Sequence, residues 1–153
     1  MMIRRRVSLK SAFRLASMLA LPCLLITQAR AENIKVEARL IWGTNEEKSQ
    51  KPKHEPVDEE TAEKFRKIFK WKNYFLEKSV KETIPNRESK RLELSKECSI
   101  EVTELPGAPV EVKLFGKGKF IHKTTKPLNK DEWFIIGGDD KNECAWFVVL
   151  TRE

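Results

Sequence analysis

From residue 34 to residue 42 the chain reads IKVEARLIW, in which apolar side chains alternate with charged ones along most of the stretch. A period of two is typical of a strand with one face in the core and one in solvent. Shorter alternating runs recur around residues 91–94, 99–103 and 110–114, separated by glycine and proline turn signals. The apolar run from Cys144 to Leu150 suits a central strand covered on both faces. The sequence therefore predicts a mainly β domain of seven or eight strands, an antiparallel sandwich-like or open-barrel fold.

One segment has a helical pattern instead. Asp58 is a good N-cap, and the two glutamates after it favour the positive end of a helix dipole. Ala62, Phe65 and Phe69, joined by Ile68, recur with helical spacing. We therefore expect one packed amphipathic helix at about residues 59–69. The preceding residues, 44–57, are charged and contain two prolines, which predicts an exposed loop.

The first 31 residues have the layout of a secretory signal peptide, expected to form a signal-peptide helix. A basic start is followed by an apolar run from Leu15 to Ile26, which is too short to span a bilayer in the mature protein. Small residues then precede a cleavage position between Ala31 and Glu32. The sequence thus predicts residues 32–153 as a single β-rich exported domain, periplasmic or secreted and without a transmembrane segment. The general secretory and twin-arginine routes both stay open.

Charge distribution argues against a nucleic-acid partner. The whole chain has a formal net charge of +7, from 30 Lys and Arg against 23 Asp and Glu. Six of these cations lie in residues 1–31, which contain no Asp or Glu, so removing them leaves 24 cations and a net charge of +1. The footprint expected of nucleic-acid binding is a basic patch on the folded domain, and the near-neutral mature chain does not indicate one.

Two cysteines, Cys98 and Cys144, remain after the predicted cleavage. In an oxidising compartment such a pair predicts a disulfide, with two unbridged buried thiols as the alternative.

No motif in the chain specifies a reaction, a cofactor or a metal site. His54 and His122 do not stand at metal-ligand spacing, and no serine lies in a nucleophile elbow. Residues 137–143 combine glycines with three carboxylates, which is typical of a hairpin turn and has calcium binding as its alternative. We therefore predict no catalytic residues, no cofactor and no resident metal.

The stretch at residues 69–75, FKWKNYF, interleaves aromatic rings with cations. Such a pattern can form a surface for a glycan, an anionic headgroup or a partner protein. The candidate binding surface comprises Lys70, Trp71, Lys72 and Tyr74, and the alternative is a helix–strand junction with its aromatic rings in the core. The loop at residues 44–57 is the rival candidate, because loops on rigid scaffolds often carry function.

Three stretches of this sequence support a resemblance to a family. Residues 41–45, 69–75 and 112–119 read IWGTN, FKWKNYF and VKLFGKGK. With them the chain resembles a group of small exported bacterial proteins of unknown function, which implies export and no particular site residues.

Together these features predict a non-enzymatic exported module that binds another envelope or secreted protein, or a surface polymer. The first alternative is an inhibitor of a secreted hydrolase, a protease or a lysozyme, using the loop at residues 44–57 as its inserted element. The second alternative is a small extracytoplasmic hydrolase.

Overall fold

Two antiparallel sheets and one helix form the part of the chain that the structure, a computed structural model, describes: residues 33–49, 51–139 and 143–153. The elements in chain order are β1 (Ile34–Thr44), β2 (Glu55–Pro56), α1 (Glu59–Ile68), β3 (Asn73–Ile84), β4 (Ser89–Glu93), β5 (Cys98–Glu104), β6 (Pro109–Gly116), β7 (Lys119–Pro127), β8 (Trp133–Asp139) and β9 (Ala145–Arg152). The predicted fold class, mainly β and sandwich-like with one short helix, is confirmed, and neither sheet closes into a barrel. The predicted signal peptide and its cleavage position at Ala31 and Glu32 lie outside the described residues.

Strand order places the most apolar segments at the centre of the larger sheet. This five-stranded sheet has the order β2-β3-β1-β9-β8, and the four-stranded sheet is a simple meander, β4-β5-β6-β7. β9 pairs with both β1 and β8 and is buried along most of its length. The prediction of a central strand in the last apolar run is therefore confirmed.

The main hydrophobic core lies between the two sheets. The larger sheet contributes Val36 and Ala38 from β1, and the smaller sheet contributes Val102 and Val112 from β5 and β6, all four fully buried. These are the apolar positions of the alternating runs, and Lys and Glu between them point away from the core. The period-two pattern therefore identifies the inner face of each sheet.

A second core covers the outer face of the five-stranded sheet, where α1 packs. Phe65 is fully buried, and its ring centroid lies 4.9 Å from that of Tyr74 and 5.2 Å from that of Phe147. Asp58 caps the helix, since the backbone N–H of Thr61 donates to its carboxylate at 2.8 Å. Hydrogen bonds from Thr61 keep the pKa of Asp58 below its usual value.

The helix end and the charged loop differ in detail from the sequence prediction. Ile68 is 62% exposed, so it is not part of the buried helical face. The loop at residues 44–57 is only partly a solvent-exposed connector. Thr44 is buried at the end of β1, and β2 adds to the edge of β3, so the segment folds back along the larger sheet.

Candidate functional site

An open groove lies at one end of the sandwich, where the two sheets diverge. Its volume is about 1320 Å³, which is larger than most small-molecule sites need. The larger sheet and the 51–54 segment form one side, and the other side is formed by residues 94–98, between β4 and the start of β5, and by residues 114–117 at the end of β6. We call this feature the end groove. The residues that line the end groove include Trp42, Lys51, Lys53, His54, Glu77, Lys78, Lys96, Glu97, Cys98, Phe115, Lys117, Ile121 and Trp146.

Two half-buried tryptophans form the floor of the end groove. Trp42 on β1 and Trp146 on β9 are direct register partners, so their side chains project from the same face of the sheet. Trp146 also lies across Gly138 on β8, where a Cβ atom would stand 2.5 Å from the indole ring. Glycine at position 138 therefore allows the indole to lie flat against the neighbouring strand.

The segment from Lys51 to His54 forms a wall of the end groove and is held by polar contacts. Ser49 Oγ lies 2.6 Å from Nδ1 of His54, and the His54 side chain is only 1% exposed. Nε2 of the same ring stands 3.3 Å from Oε2 of Glu77 on β3, without the alignment of a hydrogen bond. Lys51 Nζ reaches the same carboxylate oxygen at 3.2 Å. These contacts tie the segment to β3.

Burial governs the protonation of the His54 ring. Removal from water lowers the pKa of His54, and the positive charge of Lys51 acts in the same direction, against the opposing effect of Glu77. At neutral pH the ring is therefore neutral. Nδ1 of the ring accepts a hydrogen bond from the Ser49 hydroxyl in one tautomer and donates one to Ser49 Oγ in the other.

The opposite wall contains Cys98, which does not form the predicted disulfide. Cys98 starts β5 in the smaller sheet, whereas Cys144 precedes β9 in the larger one, where its Sγ lies 3.6 Å from Oγ1 of Thr44. No disulfide joins Cys98 to Cys144. Burial, together with the nearby carboxylates of Glu77 and Glu93, raises the pKa of the Cys98 thiol to about 11. The thiol is thus protonated at neutral pH and a poor nucleophile.

The charge on the rim of the end groove is predominantly positive. Five lysines and two glutamates line it, although the chain from residue 32 onward is nearly neutral. Lys51 is paired with Glu77, and Lys78 Nζ donates to the backbone carbonyl of Glu93 at 2.8 Å. Within the described residues, Lys53, Lys96 and Lys117 form no ion pair. Three cations are thus available to a negatively charged ligand.

The binding surface predicted at the helix–strand junction is largely inaccessible. Trp71 and Tyr74 are 7% and 3% exposed, and both belong to the core beneath α1. Trp71 Nε1 donates to the backbone carbonyl of Glu143 at 2.7 Å, and burial raises the pKa of Tyr74 to about 12. Only Lys70 and Lys72 of the four predicted residues face solvent. The aromatic rings of this stretch therefore fill core.

Residues 51–54 of the end groove belong to the loop at residues 44–57 that the sequence offered as the rival candidate, and Cys98 was predicted as a disulfide partner. The other residues of the groove were missed, although one signal was present. Alternation in β1 places Trp42 on the same face as Leu40, which is a core residue. A large aromatic residue at the end of a core-facing row, next to the charged 44–57 segment, was the available indication of a groove. Trp146 and Cys98 had no such local signal, because their neighbours come from distant strands.

Within the described ranges, no group of three or more His, Cys, Asp or Glu side chains is placed to hold a metal ion. Residues 140–142 of the glycine- and carboxylate-rich turn lie outside those ranges. No helix found in the described residues has both the length and the apolar character required to cross a bilayer.

Comparison of the chain with protein-family models, with curated proteins and with solved structures yields no match.

Proposed function

We propose that this chain is an exported, non-enzymatic binding module that holds a negatively charged envelope or secreted partner, or a surface polymer, in the end groove. The observation that carries the proposal is the combination of two half-buried tryptophans on the groove floor with unpaired lysines on its rim. Ligand sites are typically concave, largely apolar and aromatic, with a few convergent charged groups. The ligand expected here is elongated and anionic, with an apolar or ring-shaped part.

The tryptophan floor and the lysine rim of the end groove contribute to binding in different ways. Trp42 and Trp146 can each lose further contact with water when a ligand covers them, and aromatic rings provide large contact areas with little conformational entropy to lose. The rim lysines supply long-range attraction and orientation more than net affinity. Binding should therefore weaken with added salt but not vanish.

The hydrolase alternative can be assessed at the Ser49–His54–Glu77 arrangement, in which His54 and Glu77 line the end groove and Ser49 lies behind them. Its geometry favours a structural role. Ser49 Oγ also accepts the backbone N–H of Lys51 at 3.2 Å, and Glu77 is partly neutralised by Lys51. The three side chains together close a short turn and fix it to β3. The inhibitor alternative gains no specific support, because His54 is fixed beside Glu77 of β3 and Glu55–Pro56 pair with β3 as an edge strand.

The proposal is tested by titrating the purified protein with an acidic oligosaccharide, oligogalacturonate, by calorimetry. The test variant is Lys96→Gln/Lys117→Gln, which removes two unpaired rim charges. Its matched control is Lys70→Gln/Lys72→Gln, which removes two exposed lysines from the helix–strand junction. At low salt we expect the rim variant to weaken binding by about tenfold and the control to leave it within about twofold. Equal losses in the two variants, or no binding to the wild-type protein, would rule out the end groove as the site.

A further inference from the structure

We propose that β7 is a docking edge for an acidic, extended segment of a partner protein, which adds to the smaller sheet as a fifth strand. This edge adjoins the end groove at Ile121, which lines both, but the proposal does not depend on the function assigned to that groove.

β7 is a long sheet edge that is exposed along nearly its whole length. Its nine residues, Lys119–Pro127, pair with β6 on one side, and β7 is the last strand in its sheet. All of these residues are exposed except Thr124, which is half-buried. Such an edge presents a row of main-chain N–H and C=O groups that an extended peptide can pair with.

The core of the sandwich ends at β6, so β7 projects beyond it. Residues that face each other in an antiparallel pair point to the same side of the sheet. Buried Val110, Val112 and Leu114 of β6 face Lys126, Thr124 and His122 of β7. These three inward positions of β7 are therefore polar, and the apolar Ile121 at the bulge before them is 55% exposed. The strand contributes little to the core, so stability of the sandwich does not by itself account for it.

A cleft beside this edge offers space for side chains of an added strand. It has a volume of about 450 Å³ and lies between β7 and β8, the two edge strands on this side of the molecule. Phe134 and Ile136 of β8 line one side, and the inward residues of β7 line the other. Every second side chain of an added strand would point towards this cleft, while those between would lie near exposed Phe120.

Charge determines the kind of strand that fits. Residues 117–130 contain five lysines and no aspartate or glutamate. Lys123 is paired with Glu111 at 3.2 Å, whereas Lys119 makes no ion pair with any described residue. Pairing of β7 with the same strand of a second copy would bring lysine against lysine, which is destabilising. An acidic strand reverses the sign of that interaction, so the occupant is a segment rich in Asp and Glu.

The experiment uses a ten-residue peptide of alternating glutamate and threonine, with binding followed by fluorescence anisotropy and by amide hydrogen exchange. One control peptide replaces glutamate with lysine. A second control keeps the sequence but is N-methylated at three consecutive central residues, which removes main-chain donors without changing charge. We expect saturable binding of the acidic peptide with slowed exchange in β7, at least about tenfold weaker binding of the N-methylated peptide, and no binding of the lysine peptide.

Protein variants test the contribution of the β7 lysines. Lys119→Gln/Lys123→Gln should weaken binding of the acidic peptide severalfold, whereas Lys70→Gln/Lys72→Gln, which removes two exposed lysines that line neither the end groove nor the cleft beside β7, should leave it unchanged. Equal binding of the N-methylated peptide would show attraction by charge alone and would overturn the proposal. The absence of binding at millimolar peptide would also overturn the proposal, and would mean that the lysines only protect the edge from association. Concentration-dependent self-association of the protein through β7 would overturn it as well.

Discussion

Truncation of Phe65 provides a quantitative test of how the helix is held. Phe65 is fully buried and is the central ring of the outer core, with centroids of four aromatic neighbours within 5.7 Å. Phe65→Ala removes this ring and leaves a cavity that the rigid sheet beneath cannot fill. Such substitutions cost about 3–5 kcal/mol of unfolding free energy, and the ring contacts place this one near the upper end.

The matched control lies three residues further along the same helix. Ile68 is 62% exposed, so Ile68→Ala should change the unfolding free energy by no more than about 0.5 kcal/mol. Urea unfolding followed by circular dichroism and tryptophan fluorescence measures both variants. With a typical dependence on urea, Phe65→Ala should lower the midpoint by about 1.5–3 M. Equal midpoints for the two variants would refute the assignment of α1 to a packed position on the larger sheet.

Three further predictions concern stability and the thiols. Because burial lowers the pKa of His54 below its unfolded value near 6.5, the folded state binds fewer protons, and unfolding free energy should fall as pH drops from 7 towards 5.5. His54→Gln should reduce that fall in unfolding free energy. Parallel curves of unfolding free energy against pH for the variant and the wild-type protein would contradict this prediction. Gly43→Ala places a Cβ 3.0 Å from the Phe147 ring, so urea unfolding should show that the unfolding free energy falls by about 1–3 kcal/mol. An unchanged midpoint would contradict this prediction and would show that the rings of the outer core can move aside. Without reductant, alkylation of the unfolded protein and peptide mapping should label both Cys98 and Cys144, and their recovery as a linked peptide would show a disulfide.

Local patterns were sufficient for most of the fold. The alternation in β1 and β6 directly encodes which side of each strand meets the other sheet, since side chains alternate across a strand. Asp58 and the spacing of Ala62 and Phe65 likewise fix the start and the buried face of α1. Each of these features depends on residues that lie within a few positions of one another along the chain.

The candidate sites could not be predicted in the same way, because they depend on register and on the divergence of two sheets. Trp42 and Trp146 become neighbours only through the pairing of β1 with β9, more than one hundred residues apart in the chain. For Trp71 the sequence left a binding surface and a core position both open. Its indole N–H donates to the backbone carbonyl of Glu143, 72 residues away, and the ring lies in the core. Long-range pairing of this kind produces no periodic sequence pattern near either residue.

The central claim is that the end groove binds the ligand, and the four tryptophans allow it to be tested in one experiment. The protein labelled with 5-fluorotryptophan should give separate ¹⁹F NMR signals for Trp42, Trp71, Trp133 and Trp146. Titration with oligogalacturonate should shift the signals of Trp42 and Trp146 in a saturable manner and leave those of Trp71 and Trp133 in place. Shifts confined to Trp71 or Trp133, or no shift at any of the four, would contradict the account.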